Sequence, residues 1–154
     1  MDATTPPGAP ADAAPPDAPA TGALPCLHVC VTCRAGTGAP AGDEATPGRR
    51  LHDAVAAALA AHPGPPVTLR AATCLAACDH GCAAAMQGAG KWGYLLGRLT
   101  PDLAGDLVTY GAAYAASASG AVLPSRRPAS LRHVVLGRIP ALSAPLPLLP
   151  ETAA

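Results

Sequence analysis

Six cysteines in two tight groups constrain this chain more than any other feature. Cys26, Cys30 and Cys33 come first, and Cys74, Cys78 and Cys82 follow in the run Thr73-Cys-Leu-Ala-Ala-Cys-Asp-His-Gly-Cys82. In a chain without a secretion signal, thiols clustered this way favour metal ligation over a disulfide framework. The N-terminus carries Asp2 rather than a basic segment and an apolar stretch, so it does not read as a signal peptide, and the default compartment is a reducing cytoplasm. A fold that uses these thiols together must bring two distant segments to one place.

The core available for that task is lean. Half of the 154 residues count as hydrophobic, but alanine supplies much of that share and Phe is absent, leaving Leu, Val, Trp92 and three Tyr as the large core formers. A metal cross-link would add its binding free energy to folding. The Pro- and Ala-rich ends leave room for one domain. Residues 1–23 and 141–154 are expected to be disordered tails, because they cannot offset their ordering entropy. Residues 24–118 form the domain, and 119–140 an extension packed on it. A formal net charge of zero gives no electrostatic footprint for nucleic acid or an anionic membrane. No apolar run approaches the roughly 20 residues of a membrane helix. Arg126, Arg127, Arg132 and Arg138 read as a solvated surface.

Leu24–Val31 reads as the first strand, with Leu27, Val29 and Val31 on one face and Cys26, His28 and Cys30 on the other. After a long loop, Arg49–His62 carries Leu51, Val55 and Leu59 at helical spacing, with Thr46 as a cap before Pro47. Val67–Thr73 is a second strand, parallel to the first across the helix. Cys82–Gln87 and Trp92–Leu96 form a hairpin, and Thr100-Pro101-Asp102 starts a helix that reaches about Ser117. The order strand-helix-strand-strand-strand-helix predicts an α/β fold with a mixed sheet of four strands. One further short strand over Leu131–Gly137 is an open reading.

Cys30 and Cys33, two residues apart, can grip one metal from a turn, and Cys74 and Cys78 can converge if their loop bends around it. Both pairs follow the C-terminal ends of adjacent parallel strands, so they belong at one edge of the sheet. Cys26 lies about 13 Å from Cys30 along a strand at ~3.3 Å per residue, and reads as a small buried residue. Cys82 stays open, as a further ligand, a redox partner or a buried strand residue. His80 reads as a polar turn residue, while His28, His52, His62 and His133 have no metal spacing. Lys91 reads as exposed and Trp92 as core. Arg34 is expected to donate hydrogen bonds near the sulfurs. No phosphate loop, carboxylate pair or Ser-His-Asp set is evident, so no enzyme is expected.

Val29-Cys-Val-Thr-Cys-Arg34, Cys74-Leu-Ala-Ala-Cys78, Gly81-Cys82, Gly90-Lys-Trp-Gly-Tyr94 and Arg138-Ile-Pro140 together resemble an uncharacterised bacterial family of predicted metal-binding proteins. That family is similar to the thioredoxin-like [2Fe-2S] ferredoxins and is associated with cobalamin biosynthesis genes. The resemblance covers about residues 26 to 140 and implies a thioredoxin-like fold. In those ferredoxins an early Cys, a second about a dozen residues on and a Cys-x-x-x-Cys pair hold the cluster. Cys30, Cys74 and Cys78 match, but no Cys occurs between Arg34 and Thr73, so Cys33 or Cys82 must supply the fourth ligand.

Three functions follow. The first is a [2Fe-2S] ferredoxin-like electron carrier held by Cys30, Cys33, Cys74 and Cys78, exchanging electrons with a redox partner protein and linked to corrinoid metabolism. The second is a zinc- or cobalt-binding protein using the same cysteines. The third is a thiol-disulfide oxidoreductase at Cys30 and Cys33, disfavoured because a loop rather than a helix follows Cys33. The reading leaves room for a homodimer.

Overall fold

The computed structural model of the chain describes residues 22–36 and 44–142. The tails expected over 1–23 and 141–154 lie almost wholly outside those residues, as does the middle of the loop between the first strand and the first helix.

Thr46 starts the first helix as its composition predicts. Its hydroxyl oxygen accepts the Arg49 N–H at 3.0 Å, and Pro47 opens the first turn, where a missing N–H costs nothing. The helix, α1, runs Pro47–Ala60 and buries Leu51, Val55 and Leu59, one stripe at four-residue spacing. The strand before it, β1, is Cys26–Cys30, with Leu27 and Val29 fully buried. The strand after it, β2, is Thr68–Ala72 and pairs with β1 in parallel. β3 (Cys82–Gln87) and β4 (Gly93–Leu99) form the expected hairpin, with β3 antiparallel to β1. The second helix, α2, spans Ala104–Ala116 after a single 3-10 turn at Pro101–Leu103. Thr100 precedes that turn but makes no side-chain cap, contrary to expectation.

The sheet order is β2-β1-β3-β4-β5, and the βαβ half followed by the ββα half is the thioredoxin-like α/β arrangement. It has five strands rather than four. β5 is Val135–Ile139, antiparallel to β4 and shifted toward the C-terminus of the span expected from sequence. Ala129–Leu131 winds into a 3-10 turn that buries Leu131, so the strand begins only at Val135 and pairs with Gly93–Leu96 of β4. Because β5 is an edge strand with no fully buried residue, its sequence lacks the alternation that marks a half-buried strand.

Both helices contribute to one core with Met86, Tyr94, Leu96, Leu107, Tyr110 and Tyr114. Tyr94 meets Tyr110 and Tyr114 edge-on, with ring centroids 5.9 and 6.1 Å apart, so three tyrosines take the place of the absent Phe. Their hydroxyls are handled differently. Tyr114 donates to the Trp92 carbonyl at 2.8 Å, and Tyr94 accepts the Val122 N–H at 3.1 Å. Tyr110 buries its hydroxyl with no partner among the described residues. Lys91, expected to be exposed, is half-buried and donates to the carbonyls of Tyr114, Ala115 and Ser117, capping the C-terminus of α2 with a positive charge. Trp92 is only partly buried and stacks beneath Arg138, whose guanidinium lies 4.6 Å from the ring centre.

Burial, then the neighbouring Tyr94 ring, pushes the Tyr114 phenol up to about 12, and burial first also raises Tyr110. An unfolded phenol ionises near pH 10. Between those values the unfolded chain has already lost protons that the folded chain keeps, so stability falls as pH rises through that window. Urea unfolding followed from pH 8 to 11.5 is expected to show this decline. The Tyr114→Phe variant is expected to be less stable at neutral pH but to lose less on going alkaline.

Candidate metal centre

The parallel pairing of β1 with β2 extends one residue past the strands, where the Val31 N–H donates to the Ala72 carbonyl at 2.9 Å. The Thr32 hydroxyl then donates to the Thr73 carbonyl, so the two chains leave the sheet laced together. The N-terminus of α1 closes the same end. Thr46 donates its hydroxyl to the Val31 carbonyl at 2.5 Å while capping α1, and the Gly48 N–H donates to the Cys33 carbonyl at 3.0 Å. Only glycine fits there, since a Cβ on Gly48 would lie 2.1 Å from the Cys30 carbonyl oxygen and 3.1 Å from Cys33 Cβ. The helix therefore presents the positive end of its dipole to the Cys30–Cys33 turn, which suits a site carrying anionic sulfur.

Five of the six cysteines lie at this end, all as free thiols. Cys30 ends β1 and is buried, its thiol facing the Thr73 carbonyl at 3.8 Å and the Thr32 hydroxyl at 3.6 Å. Cys33 is buried in the turn and donates to the Gly81 carbonyl at 3.0 Å. Cys74 and Cys78 are exposed on the loop after β2. The Ala76 N–H donates to the Cys74 sulfur at 3.3 Å. Cys82 begins β3 and is buried. Cys26 lies at the opposite end of β1, beside Thr68 and Gln87, and is half-buried rather than buried as expected.

The thiols also act on one another electrostatically. The Cys78 thiol is raised by partial desolvation and then by Cys74, Cys33, Cys30 and Asp79, each of which disfavours a further negative charge. Burial first, then Cys33 and Cys30, pushes the Cys82 thiol up to about 12. Among the described residues, however, no three Cys, His, Asp or Glu side chains are yet gathered tightly enough to hold a metal ion. The donor set fits such a centre in chemistry, being soft thiols from two converging loops. Closing it requires the Cys30 and Cys33 thiols to turn away from the carbonyls they now face.

Backbone strain concentrates here too. Ala35, Ala76 and Arg98, with φ of 52°, 53° and 56°, are the non-glycine residues of positive φ among those described. They flank Cys33, sit between Cys74 and Cys78, and lie on β4 beside the irregular pairing opposite Cys82. Gly81, at φ 73° and ψ −158°, occupies a region essentially reserved for glycine and turns the loop into β3. Sequence reasoning placed the two cysteine pairs at one edge but set α1 apart from them behind a loop. It also missed the contact between Cys33 and Cys82. The small Thr46 and Gly48 beside Pro47 are the only local sign that the helix start packs against another segment. His80 lies exposed on the turn Cys78–His80, and Arg34 is exposed after Cys33.

Fold and site together define a thioredoxin-like α/β domain with a cysteine-lined sheet end. The chain belongs to the family described as protein of unknown function (DUF1636), whose model matches residues 27–141. Comparison with curated proteins gives no match. Among solved structures it is similar to a thioredoxin-like [2Fe-2S] ferredoxin from Aquifex aeolicus, at 15% identity and a TM-score of 0.49 over 76% of this chain and 94% of that one.

The close approach at Gly48 makes a direct prediction. Gly48→Ala is expected to lower stability by about 1–3 kcal/mol or more in thermal denaturation, because the helix must move off the Cys30–Cys33 turn. Gly64→Ala, where an added Cβ meets nothing within 4 Å, is expected to change it by less than about 0.5 kcal/mol.

Proposed function

We propose that Cys30, Cys33, Cys74 and Cys78 hold a [2Fe-2S] cluster at the end of the sheet and that the protein carries single electrons to and from a redox partner protein. The observation that supports this most is that the β1–β2 pairing brings the Cys30–Cys33 turn to the sheet end where the loop carrying Cys74 and Cys78 begins, with no disulfide consuming any of them. Once bound, the cluster supplies one-electron redox chemistry. The chain's own residues do the rest. The Ala76 N–H stabilises negative charge on the Cys74 sulfur, an effect that raises reduction potential. The α1 N-terminus acts in the same sense beside Cys33. Buried Cys30 and Cys33 shield one side of the site, while exposed Cys74 and Cys78 form the side a partner can approach.

Anaerobic reconstitution with ferrous iron and sulfide tests the reading. The wild type is expected to turn brown with about two irons and two sulfides per chain. Serine at position 30, 33, 74 or 78 is expected to abolish the visible bands, whereas Cys26→Ser should keep them. A colourless protein binding one zinc ion and no sulfide would instead assign the same thiolates to metal handling.

A further inference from the structure

Two buried thiols from different sequence groups, Cys33 and Cys82, converge where the first-strand turn meets the start of β3. Cys30 turns to the Thr73 carbonyl, and Cys74 accepts the Ala76 N–H. Cys33 instead points to the Gly81 carbonyl at 3.0 Å, immediately before Cys82, and after burial it is the neighbour that most raises the Cys82 thiol. Both residues are buried in the same cluster, each 2% exposed. Their backbones are held as well, Cys33 by the Gly48 N–H and Cys82 by its pairing with Leu99.

We infer that Cys33 and Cys82 form an internal disulfide when the metal-free protein meets a small peroxide, and that this bond locks the site against loading. The second half rests on the ligand set proposed above. The thiolate of one residue attacks a peroxide oxygen of hydrogen peroxide, breaking the O–O bond to give a sulfenic acid and hydroxide, which takes up the proton released by the thiol. The other sulfur then attacks the sulfenic sulfur and the second oxygen leaves as water. Two thiols lose two electrons in all, and one peroxide becomes two waters. The bond takes Cys33 out of the set, leaving Cys30, Cys74 and Cys78, one thiolate short of four. A dithiol reductant reverses it.

Thiol counting on the full-length, metal-free protein tests this independently of any cluster. Stoichiometric hydrogen peroxide is expected to remove two of the six thiols of the wild type and lower its mass by two hydrogens, while Cys82→Ala loses no pair. Tandem mass spectrometry of the wild type, cleaved after Arg34 and Lys91, is expected to place the link between Cys33 and Cys82, a readout that stands even if the variant folds poorly. Iron and sulfide uptake after oxidation should fall by about tenfold or more in the wild type and recover with dithiothreitol. In Cys82→Ala it should be unaffected by peroxide. A link between Cys74 and Cys78, pair loss that persists in Cys82→Ala, or a folded, reduced Cys82→Ala that takes up no iron would each overturn the inference. Failure of the reduced wild type to bind iron and sulfide would overturn the locking of the site together with the ligand set, while the thiol count would still decide the disulfide.

Discussion

The parallel pairing of β1 with β2 is the constraint on which the cysteine site depends. It brings Cys30 and the loop carrying Cys74 to one end of the sheet, although more than forty residues of chain separate them. Parallel neighbours need a crossover, and here it is α1, whose N-terminus returns to the place where β1 ends. One short residue, Gly48, makes that return possible, and Thr46 fastens it with one hydroxyl that donates to the strand and accepts from the helix.

The same end of the domain carries the least relaxed backbone, with left-handed Ala35, Ala76 and Arg98 around the thiols. Such conformations cost about 1–3 kcal/mol each and persist where the surroundings over-determine them. At Ala76 the benefit is visible, because the strained turn aims an N–H at the Cys74 sulfur. The core opposite is tight and aromatic, its three tyrosines interlocked with the segment after α2 through Val122 and Trp92. Rigid packing on one side and strained, thiol-bearing loops on the other form a division of labour suited to holding a metal centre.

Much of this was legible in the residues. The α1 stripe of Leu51, Val55 and Leu59, the bounds of β3 and the distance of Cys26 from the other thiols all follow from periodicity and strand geometry. What escaped is tertiary. β5 has no buried face to give it a pattern, and Lys91 caps α2 across a distance of more than twenty residues. Cys33 and Cys82 meet only because β3 begins beside the turn that ends β1. The gap in cysteines between Arg34 and Thr73 posed the question of the fourth ligand, which the proposed cluster assigns to Cys33.

X-ray absorption at the iron edge of the anaerobically loaded protein tests the central claim most directly. A centre held by these four cysteines predicts a first shell of sulfur alone, at about 2.3 Å by analogy with other metal–thiolate bonds, with a second iron just beyond it. A shell containing nitrogen or oxygen ligands, or a single isolated iron, would contradict the account.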